Sequence, residues 1–151
     1  MKHNLTALLL LVSGALTMST SAAPPIAIVI HAGAGDKDIR MPANREKQYH
    51  KTLTRALREG HAVLVKKGSA LEAVQAAIVV MEDSTLFNAG KGAVFTSAGE
   101  NELDASIMDG NTLLAGAVGG VTIIKNPIHA AYAVMKKTPH VMLAGEGADT
   151  F

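Results

Sequence analysis

His31, Asn88 and four carboxylates, Glu100, Glu102, Asp104 and Asp109, are the residues of this chain whose types and settings point to chemistry. His31 leaves the β-branched apolar run 26–30 and enters Gly33-Ala34-Gly35. A histidine placed so can order a neighbouring site or exchange a proton with it. Ordering outweighs direct catalysis here, because no partner stands at a fixed spacing from it. The glycine pair does not make a dinucleotide loop: Asp38 stands where the third glycine belongs, and no helix pattern follows at once. None of the six histidines pairs with another at the spacing of metal ligands on one helix face. Strand alternation places Glu100, Glu102 and Asp104 on one face, without the spacing of a calcium loop, so Glu100 and Glu102 read as a solvated face. Asp104, between Leu103 and Ala105, reads as buried and paired.

The run Phe87-Asn88-Ala89-Gly90-Lys91-Gly92 has two readings. One is a helix end and turn. The other is a loop of converging carbonyls, because glycines allow the backbone to turn oxygens inward and oxygen-only sites suit hard cations.

Regular elements must hold these residues. The run 26–30 reads as a strand buried on both faces. Tyr49, Leu53, Leu57 and Leu64 recur at helical spacing over 44–67, with Gly68 placed to stop the helix. Ser69-Ala70-Leu71-Glu72 is a capping box for a second helix, with Leu71, Val74, Ile78 and Met81 on one face and Ala70, Ala73, Ala76 and Ala77 leaving room for a close neighbour. Segments 93–97 and 102–108 read as a hairpin around 98–101. Asp109-Gly110-Asn111 makes a second turn, and 115–124 a third strand weakened at Gly119-Gly120. Asn126-Pro127 caps and starts another helix that ends at Thr138-Pro139. A short strand, 141–144, then leads through a loop toward a final helix.

Composition narrows the classes. Fourteen Lys and Arg against thirteen Asp and Glu leave no electrostatic footprint for nucleic acid. The absence of cysteine excludes disulfides, thiolate metal sites and a cysteine nucleophile. The basic start Met1-Lys2-His3-Asn4, a leucine-rich stretch to Met18 and the small residues Ser19 to Ala23 predict a signal peptide over 1–22. That stretch falls short of the roughly 20 apolar residues of a membrane span. The expected product is secreted or periplasmic, with no membrane attachment after processing.

The blocks Phe87-Asn88-Ala89-Gly90, 103–111, Ala115-Gly116-Ala117-Val118, Asn126-Pro127 and Thr138-Pro139-His140-Val141, with His31-Ala32-Gly33-Ala34-Gly35, resemble the plant-type L-asparaginase and isoaspartyl (β-aspartyl) peptidase family of N-terminal nucleophile hydrolases. The resemblance runs from Ile26 to Phe151. It implies an α/β fold, part of an αββα sandwich, in which 23–151 is an incomplete N-terminal, α-subunit portion of the amidohydrolase domain. It implies a precursor that cuts itself, a β subunit from that precursor and a dimer of αβ heterodimers. A threonine exposed by the cut would hydrolyse L-asparagine or β-aspartyl dipeptides. That threonine opens a Thr-Val-Gly motif, which this sequence does not contain, so no catalytic residue is carried over and the segment alone is expected to be inactive. Asn88, His31 and Gly33 would support the active site. Backbone carbonyls of Met81, Glu82, Ser84, Phe87, Ala89 and Lys91 would hold a structural sodium, and no organic cofactor is implied. Ala32 departs from the family's second glycine after the histidine.

The rival from another class is a catalytically dead exported binding or partner module. An exported small-molecule binder of α/β type is a third reading, on fold analogy alone.

Overall fold

The computed structural model describes residues 26–33 and 41–151. The signal-peptide reading of 1–22 and the loop residues 34–40 lie outside the described residues. Among those described, no helix is long and apolar enough to cross a membrane.

Helix α1 spans Ala43–Val65 and α2 spans Ala70–Glu82. They cross closely because the contact is made of small residues: Ala56 and Gly60 of α1 meet Ala73 and Ala77 of α2, all buried. A Cβ on Gly60 would stand 2.8 Å from the Ala73 carbonyl oxygen and would overlap the Ile28 side chain. The turn between the helices is a Schellman motif. Gly68 N–H donates to the Val63 carbonyl and Lys67 N–H to that of Leu64, at 2.9 Å each. The left-handed residue is therefore Lys67 (φ 63°), not the predicted glycine. Gly68 serves close approach instead, since a Cβ there would lie 2.5 Å from a Val63 methyl. Ser69 and Glu72 form the predicted capping box: the Glu72 amide donates to Ser69 Oγ, and the Ser69 amide to Glu72 Oε2.

Strands β1 (Leu103–Met108), β2 (Ala115–Val121) and β3 (Met142–Ala144) form a mixed sheet in that order, β1–β2 antiparallel and β2–β3 parallel. Helix α3 (Pro127–Lys137) makes the crossover that a parallel neighbour requires, and α4 (Gly145–Thr150) follows β3 directly. The fold class is α/β, as the sequence predicts. Leu103, Ala105 and Ile107 face the helices, where Ile107 joins Ile128, Ala131 and Met135 in a core lined by Leu71, Val74 and Ile78 of α2. Gly116 lets α3 lie close on the sheet: a Cβ there would stand 2.5 Å from the Met135 amide nitrogen. The opposite face carries Asp104, Ser106, Met108 and Met142, all exposed.

Three sequence expectations are corrected. The run 26–30 forms no strand, since no described strand lies beside it. Ile28 and Ile30 instead pack on Ala56, Ala77 and Val80, while Val29 is 89% exposed. The segment 93–97 is not a hairpin arm either. The Asn101 side-chain amide donates to the carbonyls of Ala93 and Val94, and Thr96 N–H donates to the Glu100 carbonyl, so polar turn bonds replace a ladder. The third strand stops at Val121, where an extra residue at Gly119-Gly120 shifts the register against Leu103–Ala105 and Gly120 takes φ 62°.

Candidate functional site

A cavity of about 610 Å³ brings His31, Ala32 and Gly33 together with Asn88 and Ala89, Tyr49 of α1, Met81 and Glu82 of α2, and Asp104 and Ser106 of β1. The sequence places these residues up to 75 positions apart, and the fold gathers them at the end of α2. His31, Gly33 and Asn88, singled out together above, thus line one pocket. Gly33 has φ 87°, a conformation side chains rarely adopt. Asn88 Oδ1 accepts from the Val94 amide at 2.9 Å, which ties the loop back on itself.

The loop between α2 and the 3-10 turn Gly90–Gly92 is anchored from outside by Tyr49. Its hydroxyl donates to the Leu86 carbonyl, and its ring meets Phe87 edge-on at 5.4 Å. Tyr49 was legible in the sequence only as one apolar position of a helix. Its second use depends on a partner 37 residues away, which no local pattern announces.

Within the loop, carbonyls turn toward its two glycines. A Cβ on Gly90 would lie 2.5 Å from the Glu82 carbonyl oxygen, and one on Gly92 would lie 2.8 Å from that of Ser84 and overlap that of Phe87. Gly90 also has φ 51°. The carbonyls of Phe87 and Ala89 each accept one amide hydrogen, from Ala89 and Gly92, whereas that of Met81 accepts from Ser84 and Asp83. A carbonyl has a second lone pair, so the single bonds at Phe87 and Ala89 leave coordinating capacity. Neutral backbone oxygens are ligands of the kind a hard cation takes.

Glu82 is the residue that sequence reasoning undervalued. Its side chain is buried, 3% exposed, at the N-terminus of α3. Oε1 accepts from the Ile128 amide at 3.1 Å, and Oε2 from the Asn126 side-chain amide at 3.0 Å. Burial pushes its pKa up, against the opposing bonds from Asn126 and Ile128. The predicted cap is thereby corrected. Asn126 makes no side-chain cap bond, and the orphan donor of α3 is met by a carboxylate from α2. Beside it, Asn126 Nδ2 and Lys125 Nζ reach Asp83 Oδ1 at 3.3 and 2.9 Å. His129 Nδ1 pairs with Gln75 Oε1 at 3.0 Å.

Asp104 and Asp109 act as turn fasteners, while Glu100 and Glu102 are exposed. Asp104 is exposed rather than buried, and its Oδ1 accepts from the Gly120 amide of the bulge at 2.8 Å. Asp109 accepts from the Thr112 hydroxyl and the Asn111 amide, which hold its pKa below the usual range. Among the described residues no group of three or more His, Asp or Glu side chains could hold a metal ion.

The asparaginase family model matches residues 24–151. The chain belongs to the asparaginase family. It is similar to the plant-type L-asparaginase of Pyrococcus furiosus, 51% identical over 128 residues that make up 83% of this chain and 40% of that protein. It is similar to the isoaspartyl peptidase of Escherichia coli K12, 47% identical over 82% of this chain and 39% of the relative. It is also similar to the human isoaspartyl peptidase/L-asparaginase, 46% identical over 84% of this chain and 40% of the relative. The chain spans about two fifths of the length of these members of the asparaginase family.

Proposed function

We propose that this chain is part of an exported amidohydrolase that releases aspartate from L-asparagine or β-aspartyl dipeptides. The observation that supports it most is the family match over 24–151, together with a cavity in which His31, Gly33 and Asn88 meet. In this reading the segment is the scaffold half of the site. The nucleophile is a threonine outside this sequence, freed by self-cleavage. Its hydroxyl, activated by its own α-amine, attacks the side-chain carbonyl of the substrate. Ammonia or the amino acid leaves, and water then hydrolyses the aspartyl ester. Hydrogen-bond donors aimed at the oxyanion stabilise each tetrahedral intermediate.

The role assigned to this chain is positioning. Asn88, held by Val94, orders the pocket wall, and His31 with Gly33 shapes the wall facing it. The carbonyls of Met81, Glu82, Ser84, Phe87, Ala89 and Lys91 hold a sodium that supplies structural rigidity to the loop, without entering the reaction. The exposed face of Asp104, Ser106, Met108 and Met142 receives the second sheet of the sandwich, contributed by the β subunit, and two αβ heterodimers associate. The leader 1–22 directs the precursor out of the cytoplasm.

Intact-mass analysis of the full-length protein tests the self-cleavage step. Two fragments, the second beginning with threonine, are expected. An uncut chain that stays uncut on incubation would favour the catalytically dead module.

A further inference from the structure

We propose that the Glu82 side chain is a positioning residue that couples the carbonyl loop 81–91 to helix α3, so that cation binding in the loop depends on the α3 bond. The inference rests on the sodium reading given above. Glu82 is engaged on both sides of the junction, and its neighbour Asp83 also reaches the Asn126 side chain, at 3.3 Å. The Glu82 carbonyl oxygen faces Gly90 at a distance that excludes a Cβ, and the buried Glu82 carboxylate holds the Ile128 amide and the Asn126 side chain. Each carboxylate oxygen accepts one bond from the α3 side, which turns the side chain toward that helix.

The orientation of a backbone carbonyl follows the rotation of its own residue. At the end of α2 the helical bonds no longer fix that rotation fully, because the last carbonyls of a helix have no intrahelical donor. Two bonds from the side chain to a packed helix do fix it. Ile128 is 1% exposed within the core shared by α2, α3 and β1, which makes it a rigid anchor. Glu82 also borders a second cavity of about 450 Å³ with Asn88, Asp104 and Pro127, so a rotation there would be felt on both sides of the loop. Outer partners that orient a ligand typically carry 10–100-fold in metal affinity.

The test is thermal unfolding of the full-length protein, titrated with NaCl against tetramethylammonium chloride at constant ionic strength. The wild type is expected to gain stability with sodium. Glu82→Ala should weaken the apparent sodium affinity at least about tenfold. Glu82→Gln, which keeps an acceptor for Ile128, should recover most of it. Val134→Ala serves as the structural control: it opens the α3 core away from the loop, and should lower Tm in both salts while leaving the sodium affinity unchanged. Unchanged sodium affinity in Glu82→Ala would overturn the coupling, as would an equal loss in Val134→Ala. A wild type indifferent to sodium would instead overturn the cation reading, and the coupling with it.

Discussion

At the residue scale, conformation decides several positions more than side-chain chemistry does. Gly92 is the sharpest case, because a Cβ would be driven into backbone oxygens that cannot swing away. Gly92→Ala should destabilise the full-length protein by about 1–3 kcal/mol, the range for forced overpacking, read from urea midpoints. Lys67 is the reverse case. It sits at φ 63° with a Cβ that a left-handed residue is better without. Lys67→Gly should therefore stabilise by about 1 kcal/mol, and a loss on the same measurement would show that its side chain makes a compensating contact. The sequence displayed the glycines of this loop openly, yet the left-handed cap at Lys67 was hidden, since a lysine in that conformation leaves no compositional trace.

At the element scale, small residues and polar fasteners do the joining. Gly60→Ala trades a gain in helix propensity against collision with the Ala73 carbonyl and Ile28, and a net loss of about 1–2 kcal/mol is expected in equilibrium unfolding. Asp149 ties α4 to the end of β2. Burial pushes its carboxyl up, but the Thr122 amide and hydroxyl and the Ile123 amide outweigh this and hold its pKa below the usual carboxylate range. A lowered folded pKa gives stability that is complete above the unfolded value and is lost as pH falls through the folded one. Stability should accordingly fall as acid protonates this carboxylate, and Asp149→Ala should make that decline shallower. An unchanged slope would mean that the bonds to Thr122 are not held in solution.

The helices were legible because amphipathic spacing, the capping box and the Thr138 stop are local signals. The alternation of Leu103, Ala105 and Ile107 likewise revealed β1. The missing strands at 26–30 and 93–97 show the limit of such reading. A β-branched run states a preference, whereas a strand needs a neighbour, and the side chain of Asn101 competes for the carbonyls at 93 and 94. The polar joint from Glu82 to Asn126 and Ile128 spans 44 to 46 residues and was equally out of reach.

At the scale of the whole molecule, one face of the sheet is covered by α2 and α3 while the other presents Met108 and Met142, 59% and 56% exposed. Leu113 and Leu114 add exposed apolar surface. Residues 23–151 expressed alone should expose that surface, bind a hydrophobic dye and self-associate. A monodisperse, cooperatively unfolding product would contradict the proposal that this segment is half of a sandwich. The candidate site was legible as separate motifs, because His31-Ala32-Gly33 and Phe87-Asn88-Ala89-Gly90 are compact. Their meeting in one cavity, and the tyrosine that pins it, needed the fold.

Release of aspartate by the purified full-length protein, measured with L-asparagine and with a β-aspartyl dipeptide as substrates, tests the central claim most directly. The account predicts aspartate from at least one of them. No aspartate from either would contradict the amidohydrolase reading and leave a binding module built on this scaffold.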